Sequence, residues 1–338
     1  MAENQKREKD GLLRRIMSSS NFGILIALIV MVIVFTILKP SYFSKNNILN
    51  IFVACSIVGL VAIGETFLMI AGQIDMSSGS ISAFSGVFIA VLLARGWPLF
   101  PAFLLTLLVG AAIGLMNALL VTRLEISFFI ATLASQSIFR GLAFIICGGK
   151  SIGVNHPVFL KIGTTRIFGI SLPIIIFLIL FIIFAVILMK TRFGRSIYMV
   201  GGNSTAARLA GIQSKKMITI LFTISGVMAA LGGAILAARM NSGQPSASEG
   251  LEFDAVTACV LGGVAMSGGI GDMGGAFIGL LIMQGFTNGL AVLNVQSFWQ
   301  KVAKGLLLIA ALAFDYLRKR SREKNALRQM ELARVNKA

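Results

Sequence analysis

Charge is scarce in this chain, and so are the residues that many catalytic sites are built from. Only 13% of its 338 residues are Asp, Glu, Lys or Arg, against roughly 25% in an ordinary soluble domain. One histidine, His156, cannot build a histidine metal site. The three cysteines, Cys55, Cys147 and Cys259, are odd in number, lack CxxC spacing and fall in or beside apolar segments. That pattern reads as small core residues rather than disulfide partners or metal ligands. Neither a G-x-x-x-x-G-K-[ST] phosphate loop nor an H-E-x-x-H helix occurs. No polar stretch is long enough to fold as a soluble catalytic domain. The chain is therefore expected to be no enzyme, with no catalytic residues, no metal and no cofactor of its own.

Apolar residues make up 57% of the chain, and they come in runs. About 20 helical residues cross a bilayer core about 30 Å thick. Apolar runs and their breaks give ten crossings, near 22–38, 48–70, 77–94, 98–122, 127–147, 172–189, 217–240, 254–267, 274–292 and 297–317. The expected fold class is all-α, a polytopic transmembrane helical bundle. A membrane domain, 22–317, lies between basic tails at 1–21 and 318–338. Lys39-Pro40, not a small-residue cleavage site, follows the first run, which favours an uncleaved span over a signal peptide.

The net charge of +17 is gathered at few places. Eight Lys/Arg lie between Arg318 and Ala338, five precede the first span, and six lie between Lys190 and Lys216. The positive-inside rule places these segments in the cytoplasm, where they meet anionic lipid head groups. Both termini are then cytoplasmic, with 39–47, 148–171 and 241–253 outside and 123–126 and 190–216 inside. Nucleic acid is not an expected partner.

Glycine supplies the remaining architecture. Gly110 and Gly114, Gly275 and Gly279, and Gly285 and Gly289 have GxxxG spacing, which lets helix backbones approach closely. The segment 254–267 is short and contains Gly262-Gly263, with "SGGIGDMGG" (Ser267 to Gly275) after it, so a broken or re-entrant helix is expected there. Gly262, Gly263, Gly268, Gly269 and Asp272 form a candidate gating break. "MIAGQIDMSSG" (Met69 to Gly79) and "MSGGIGDMGGA" (Met266 to Ala276) share a faint repeat, M-x-x-G-x-x-D-M. Internal repeats are frequent in transporters.

Few polar residues interrupt the spans. Asp75 and Asp272 each precede a predicted helix, where an aspartate caps amide groups; the other reading is a place on a substrate pathway. Glu65, inside the second span, is either a structural acid, paired with a residue such as Arg140, or a coupling-ion site. Asn117, Gln136, Gln284 and Asn288 either line a polar route or bond between helices. Glu65, Gln73, Asp75, Ser77, Ser78 and Asn117 are the candidate pathway residues.

One polar stretch stands between two apolar ones: "TRFGRSIYMVGGNSTAARLAGI", Thr191 to Ile212. Its residues predict a turn at Gly201-Gly202, then a helix over Thr205 to Leu209 capped by Asn203 or Ser204 and ended by Gly211. A helix so short is marginal alone, so a partner docking on it and a solvated loop are the two readings. The stretch resembles the cytoplasmic coupling region of the membrane-spanning subunits of bacterial ABC importers for monosaccharides, the ribose/xylose/arabinose-type permeases. Their pattern is close to T-R-F-G-R-x-x-Y-A-I-G-G-N-x-x-A-A-R-L-S-G-I. "GQIDMSSG" (Gly72 to Gly79) is similar to the family's G-G-I-D-L-S-V-G. "LGGVAMSGGIGDMGG" (Leu261 to Gly275) is similar to its L-G-G-x-x-x-x-G-G-x-G run. Gln73, Ser78 and Ala210 depart from the usual glycine, valine and serine.

The resemblance, which covers about 20–318, implies a permease subunit in the bacterial cytoplasmic membrane. It implies a homodimer with a second copy of this chain. A cytoplasmic ABC ATPase would use ATP and Mg and dock on Gly201, Gly202, Asn203, Ala206, Ala207, Arg208, Leu209 and Gly211. An extracytoplasmic sugar-binding protein would dock outside. The rival expectation is a secondary transporter of a small polar solute, coupled to an ion through Glu65 or Asp75.

Overall fold

Apolar segments that cannot hydrogen-bond to water must satisfy their backbone internally, and helices do so within one segment. Thirteen helices account for most of residues 22–335, the part of the chain that the computed structural model describes. They are α1 (Phe22–Leu38), α2 (Lys45–Ile70), α3 (Ser78–Ala94), α4 (Leu99–Thr122), α5 (Phe128–Ile146), α6 (Pro157–Thr164) and α7 (Leu172–Lys190). Then come α8 (Arg192–Gly202), α9 (Ser204–Leu209), α10 (Ser214–Met240), α11 (Leu251–Leu261), α12 (Met273–Val292) and α13 (Ser297–Val335). Four two-residue strands make two small antiparallel pairs: β1 (Ile152–Gly153) with β4 (Ser242–Gly243), and β2 (Arg166–Ile167) with β3 (Ile170–Ser171).

Among the described residues, seven helices are long and apolar enough to cross a membrane: α2, α4, α5, α7, α10, α12 and Ser297–Leu317 of α13. The apolar helices α1 and α3 are shorter, with 17 residues each, and α11 has only 11. Nine of the ten expected crossings thus coincide with a helix, seven of them of spanning length, while the expected crossing 254–267 is helical only to Leu261. The expected N-terminal tail, 1–21, lies outside the described residues, as do 336–338. The segment expected as a C-terminal tail continues α13 as helix to Val335.

Two helices carry the core. Nearly all of α2 from Cys55 to Ile70 is buried, and α10 packs between α2, α3 and α4. The glycine pairs explain how backbones come so near. A Cβ on Gly226 of α10 would strike the carbonyl oxygen of Gly110, and one on Gly114 would strike that of Phe222. Gly275 and Gly279 of α12 lie against α11, while Gly285 and Gly289 face Met31 and Phe35 of α1. All three GxxxG pairs therefore serve packing within the chain. α1 is fixed further by Phe35, stacked on Tyr42 and edge-on to Phe286, and by the Tyr42 hydroxyl donating to Gly285 O at 3.1 Å. Its other face turns Ile26, Ile29, Val30, Ile33 and Ile37 outward, as lipid requires.

Two sequence expectations need correction. Gly201-Gly202 is not a turn; it is the last part of α8, with Gly201 set against Ile70 O and Gly269 N, where no side chain fits. The segment 241–253 is not wholly an outer loop. Residues 244–250 run without helix beside α3, where the Ser248 and Ser82 hydroxyls are 3.0 Å apart, and Leu251–Phe253 already belong to α11.

Leucine at Gly226 is expected to separate α4 from α10 at a cost of about 1–3 kcal/mol or more. Fluorescence-detected gel filtration during a thermal ramp in detergent checks it, with a lower melting point than wild type as the expected result.

Candidate functional site

Three non-helical segments interrupt the bundle: 71–77, 244–250 and 262–272. Buried backbone there needs partners that a helix would have given. In the first, Gly72 N and Gln73 N donate to Met69 O and Leu68 O, and the chain then folds back along α2. Asp75 N donates to Glu65 Oε2 at 3.3 Å. In the third, Val264 N donates to Cys259 O, Ala265 N to Ile270 O, and Gly269 N to Ile70 O at 2.8 Å. The first and third breaks, which carry the faint repeat, thus lie against each other.

The middle break is held by a side chain. Arg140 of α5 donates through Nη1 to Pro245 O at 2.8 Å and Ala247 O at 2.6 Å, and through Nη2 to Ser248 O at 3.5 Å. A guanidinium suits this task, since its donors form a rigid fork. The expected pairing of Arg140 with Glu65 is therefore not made; the loop carbonyls take its donors.

Glu65, Asp75, Ser77, Ser78 and Asn117 are wholly buried, and four of them join one hydrogen-bonded chain. Ser135 Oγ donates to Asn117 Oδ1, Asn117 Nδ2 donates to Ser77 Oγ at 2.8 Å, and Ser77 Oγ donates to Asp75 Oδ1 at 2.5 Å. Ser77 N reaches the same oxygen at 3.0 Å, and Ser225 Oγ donates to Asp75 Oδ2 at 3.0 Å. The chain ends on the Asp75 carboxylate, which accepts from Ser77 N, Ser77 Oγ and Ser225 Oγ. Asp75 accordingly acts as an anchor for the residue before α3, not as a cap on α3 amides, whereas Asp272 does cap α12 by accepting from Gly275 N at 2.8 Å. Gln73 stands apart, its amide donating to Gly72 O.

Sequence reasoning missed Ser135 and Ser225. Each is one polar residue on an apolar helix, and nothing in its local pattern names its partner. Glu252 was missed too, because it falls in the segment read as outer loop. It is 1% exposed, at the start of α11 beside Gly79, and Gln136 Nε2 donates to its Oε1 at 2.7 Å. Asn288 accepts from Asn47 Nδ2 at 2.8 Å, an interhelical bond like that of Gln136.

The polar stretch after α7 projects from the bundle. Thr191 caps α8 and Asn203 caps α9, accepting from Gly194 N and Ala206 N. Gly202, Asn203, Ala206, Arg208, Leu209 and Gly211 are exposed, with Leu209 at 83%, while Ala207 is buried. Gly211 ends the segment at φ 82°. Gly201 and Tyr198 face inward instead. Gly268 and Gly269 pack on Gly201 and Gly202, and the Tyr198 hydroxyl donates to Gly271 O at 2.7 Å. Burial and nearby Asp272 push the Tyr198 hydroxyl's pKa up, so it keeps its proton through the neutral range. Gly262 and Gly263 close α11 and open the same break.

A bundle of long apolar helices, with broken segments held by buried polar groups and one exposed polar element, is a multi-pass membrane protein. Residues 47–312 match the family described as the permease component of the branched-chain amino acid transport system, and the chain belongs to that family. The chain is 38% identical to the ribose import permease protein RbsC of Bacillus subtilis over 316 residues, 93% of this chain and 96% of that one. It is 38% identical to the L-arabinose transport system permease protein AraH of Escherichia coli over 309 residues, 89% of this chain and 92% of the other. The L-arabinose ABC transporter permease protein AraH of Azospirillum brasilense is 34% identical over 300 residues, 89% of this chain and 88% of its own.

Replacing Arg140 by methionine is expected to lower stability by about 2–3 kcal/mol, because charge-assisted hydrogen bonds to buried carbonyls are lost. Thermal unfolding in detergent reads the loss. Lysine at 140 should recover part of it.

Proposed function

We propose that this chain is the membrane-spanning permease subunit of an ATP-driven importer that passes a monosaccharide or similar polyol across the bacterial cytoplasmic membrane. Likeness to ribose and arabinose permeases over most of the chain supports the sugar class. The observation that carries the mechanism is the projecting α8–α9 segment and its inward link to Gly271.

In this reading all ten apolar helices cross or enter the membrane, both termini are cytoplasmic, and α9 is the coupling helix. Two copies form the pathway. A cytoplasmic ABC ATPase, which supplies ATP and Mg chemistry, docks on Gly202, Asn203, Ala206, Arg208 and Leu209. A sugar-binding protein docks on the opposite face. An exposed leucine beside an arginine on a capped helix is suited to such docking, because apolar and Arg contacts dominate many interface energies. Movement of α9 is passed on through Tyr198 and Gly201 to the 262–272 break and so to α11. Glu65, Asp75, Ser77, Ser78 and Asn117 have no exposed surface in this conformation. They hold the start of α3 here and reach the pathway only if that start shifts.

Leu209→Asp is expected to reduce ATPase recovery with the detergent-solubilised tagged chain. A lost central contact of about 2 kcal/mol is roughly a thirty-fold change in affinity. Sugar uptake should fall with it, while gel filtration of the variant stays unchanged. Full recovery of the ATPase and full uptake in the variant would remove α9 from the docking surface. Uptake that persists without any ATPase and collapses with the ion gradient would favour a secondary transporter instead.

A further inference from the structure

The hairpin of β2 and β3 carries at its tip an aromatic ring that neither its turn nor the bundle calls for. Arg166 pairs with Ser171 and Ile167 with Ile170, which leaves Phe168-Gly169 as a two-residue turn. Both turn residues are left-handed, Phe168 at φ 52° and Gly169 at φ 81°. Such a turn favours Asn-Gly, and a bulky side chain at positive φ is uncommon. Packing does not ask for the ring either. Phe168 is fully exposed, and Ile167 and Ile170 beside it are exposed as well. Three bare apolar side chains on one short hairpin mark a contact outside the chain.

The position of the hairpin says what covers them. Leu172 N donates to Thr165 O at 2.9 Å, so α7 starts directly at the open end of the hairpin. The helix has 19 residues, which at ~1.5 Å each is about 28 Å, close to the hydrocarbon core of about 30 Å. Leu172 and Lys190 then stand at the two edges of that core. Two rungs at ~3.4 Å per residue carry the tip about 7–10 Å farther, and the headgroup layer is roughly 5–8 Å deep. Ile179, Ile182, Ile183 and Val186 are exposed along one stripe of α7, the lipid side of that helix. Leu172 stands two turns before Ile179 on the same stripe, so the hairpin joins α7 on its lipid side. The segment 148–171 also holds Lys150, Lys161 and Arg166 but no Asp or Glu. The positive-inside rule disfavours cations on the face opposite α8 and α9, whereas lipid phosphates there would pair with them.

We propose that this hairpin is a membrane-interface anchor, with Phe168, Ile167 and Ile170 seated among the upper acyl chains. Arg166, exposed on the neighbouring rung, stands level with the phosphates, where a long cationic side chain is well placed. The anchor fixes one end of α7, and the other end continues through Thr191 into α8. Motion of α8 and α9 is then taken up beyond Lys190 instead of by sliding α7 along the membrane normal. The inference needs only that α7 spans the membrane and is independent of cargo and energy source.

The test uses the full chain with Trp97→Phe and Trp299→Phe, so that Phe168→Trp supplies its one tryptophan. The purified protein is placed in nanodiscs of phosphatidylcholine and phosphatidylglycerol, which leave both faces open to water. Emission from position 168 is expected to fall when the lipids carry bromine near the headgroup and to fall less when bromine lies deep in the chains. It should resist quenching by acrylamide in the water. Ile170→Trp in the same background gives a second reading should the turn reject tryptophan, and gel filtration checks that each variant is folded. Strong acrylamide quenching at both positions, with no loss to brominated lipid, overturns the anchor. So does a tryptophan at 168 that is shielded from acrylamide only after the sugar-binding protein is added, since the tip would then be a docking surface for that protein.

Discussion

Backbone that leaves the helix inside a membrane protein must find a hydrogen-bond partner for each group, and this constraint organises the molecule. The chain breaks at 71–77, 244–250 and 262–272, and each break is repaired differently. Asp75 and Glu65 serve the first, Arg140 the second, and backbone pairs together with the Tyr198 hydroxyl the third. The charged residues of the interior are explained largely by this demand. An unsatisfied buried amide or carbonyl costs about 1–3 kcal/mol, more than most side-chain contacts return. Polar side chains in the bundle are therefore placed where helices stop.

What could be read in advance follows from the same physics. Helices over apolar runs were legible, because period and length alone require them: nine of the ten expected runs coincide with helices, and the tenth, 254–267, is helical only to Leu261. Capping was legible at Asn203 and Asp272, where the acceptor serves an amide three residues on. It was not legible at Asp75, whose partners Ser225 and Ser77 come from distant and adjacent positions alike. The Arg140 contacts were hidden for another reason. An acid such as Glu65 is the obvious partner for an arginine, but carbonyls carry no sequence signature. Gly201-Gly202 resembles a turn in isolation; only the nearness of Ile70 and Gly269 accounts for glycine inside a helix. The burial of Glu252 was concealed because 241–253 carries the composition of an outer loop while part of it enters the bundle.

Glu65, Asp75 and Glu252 each engage a different neutral donor: a backbone amide, serine hydroxyls and a glutamine amide. The Asp254–Lys304 pair stands farther along α11 and joins α11 to α13. The consequence is a set of interior polar contacts made mostly of single hydrogen bonds rather than ion pairs. Single bonds between neutral and charged groups can be exchanged one at a time, whereas breaking a buried ion pair leaves an uncompensated charge.

That distinction bears on how a transporter built this way changes shape. A ligand or nucleotide shifts a conformational equilibrium only by the difference in its affinity for the two states. If α9 is the docking element proposed above, energy delivered there would be useful only against an interior that resists by a comparable, modest amount. The link from α9 to α11 passes through one tyrosine hydroxyl, glycine contacts without side chains, and a break already free of helical hydrogen bonds. None of these steps requires a charge to be stripped of its partner. Rigid helices α2 and α10, buried and glycine-packed, supply the fixed frame against which such a small element can move. A bundle unbroken at these points would couple the same faces only by shifting whole helices against close-packed neighbours, a far costlier motion.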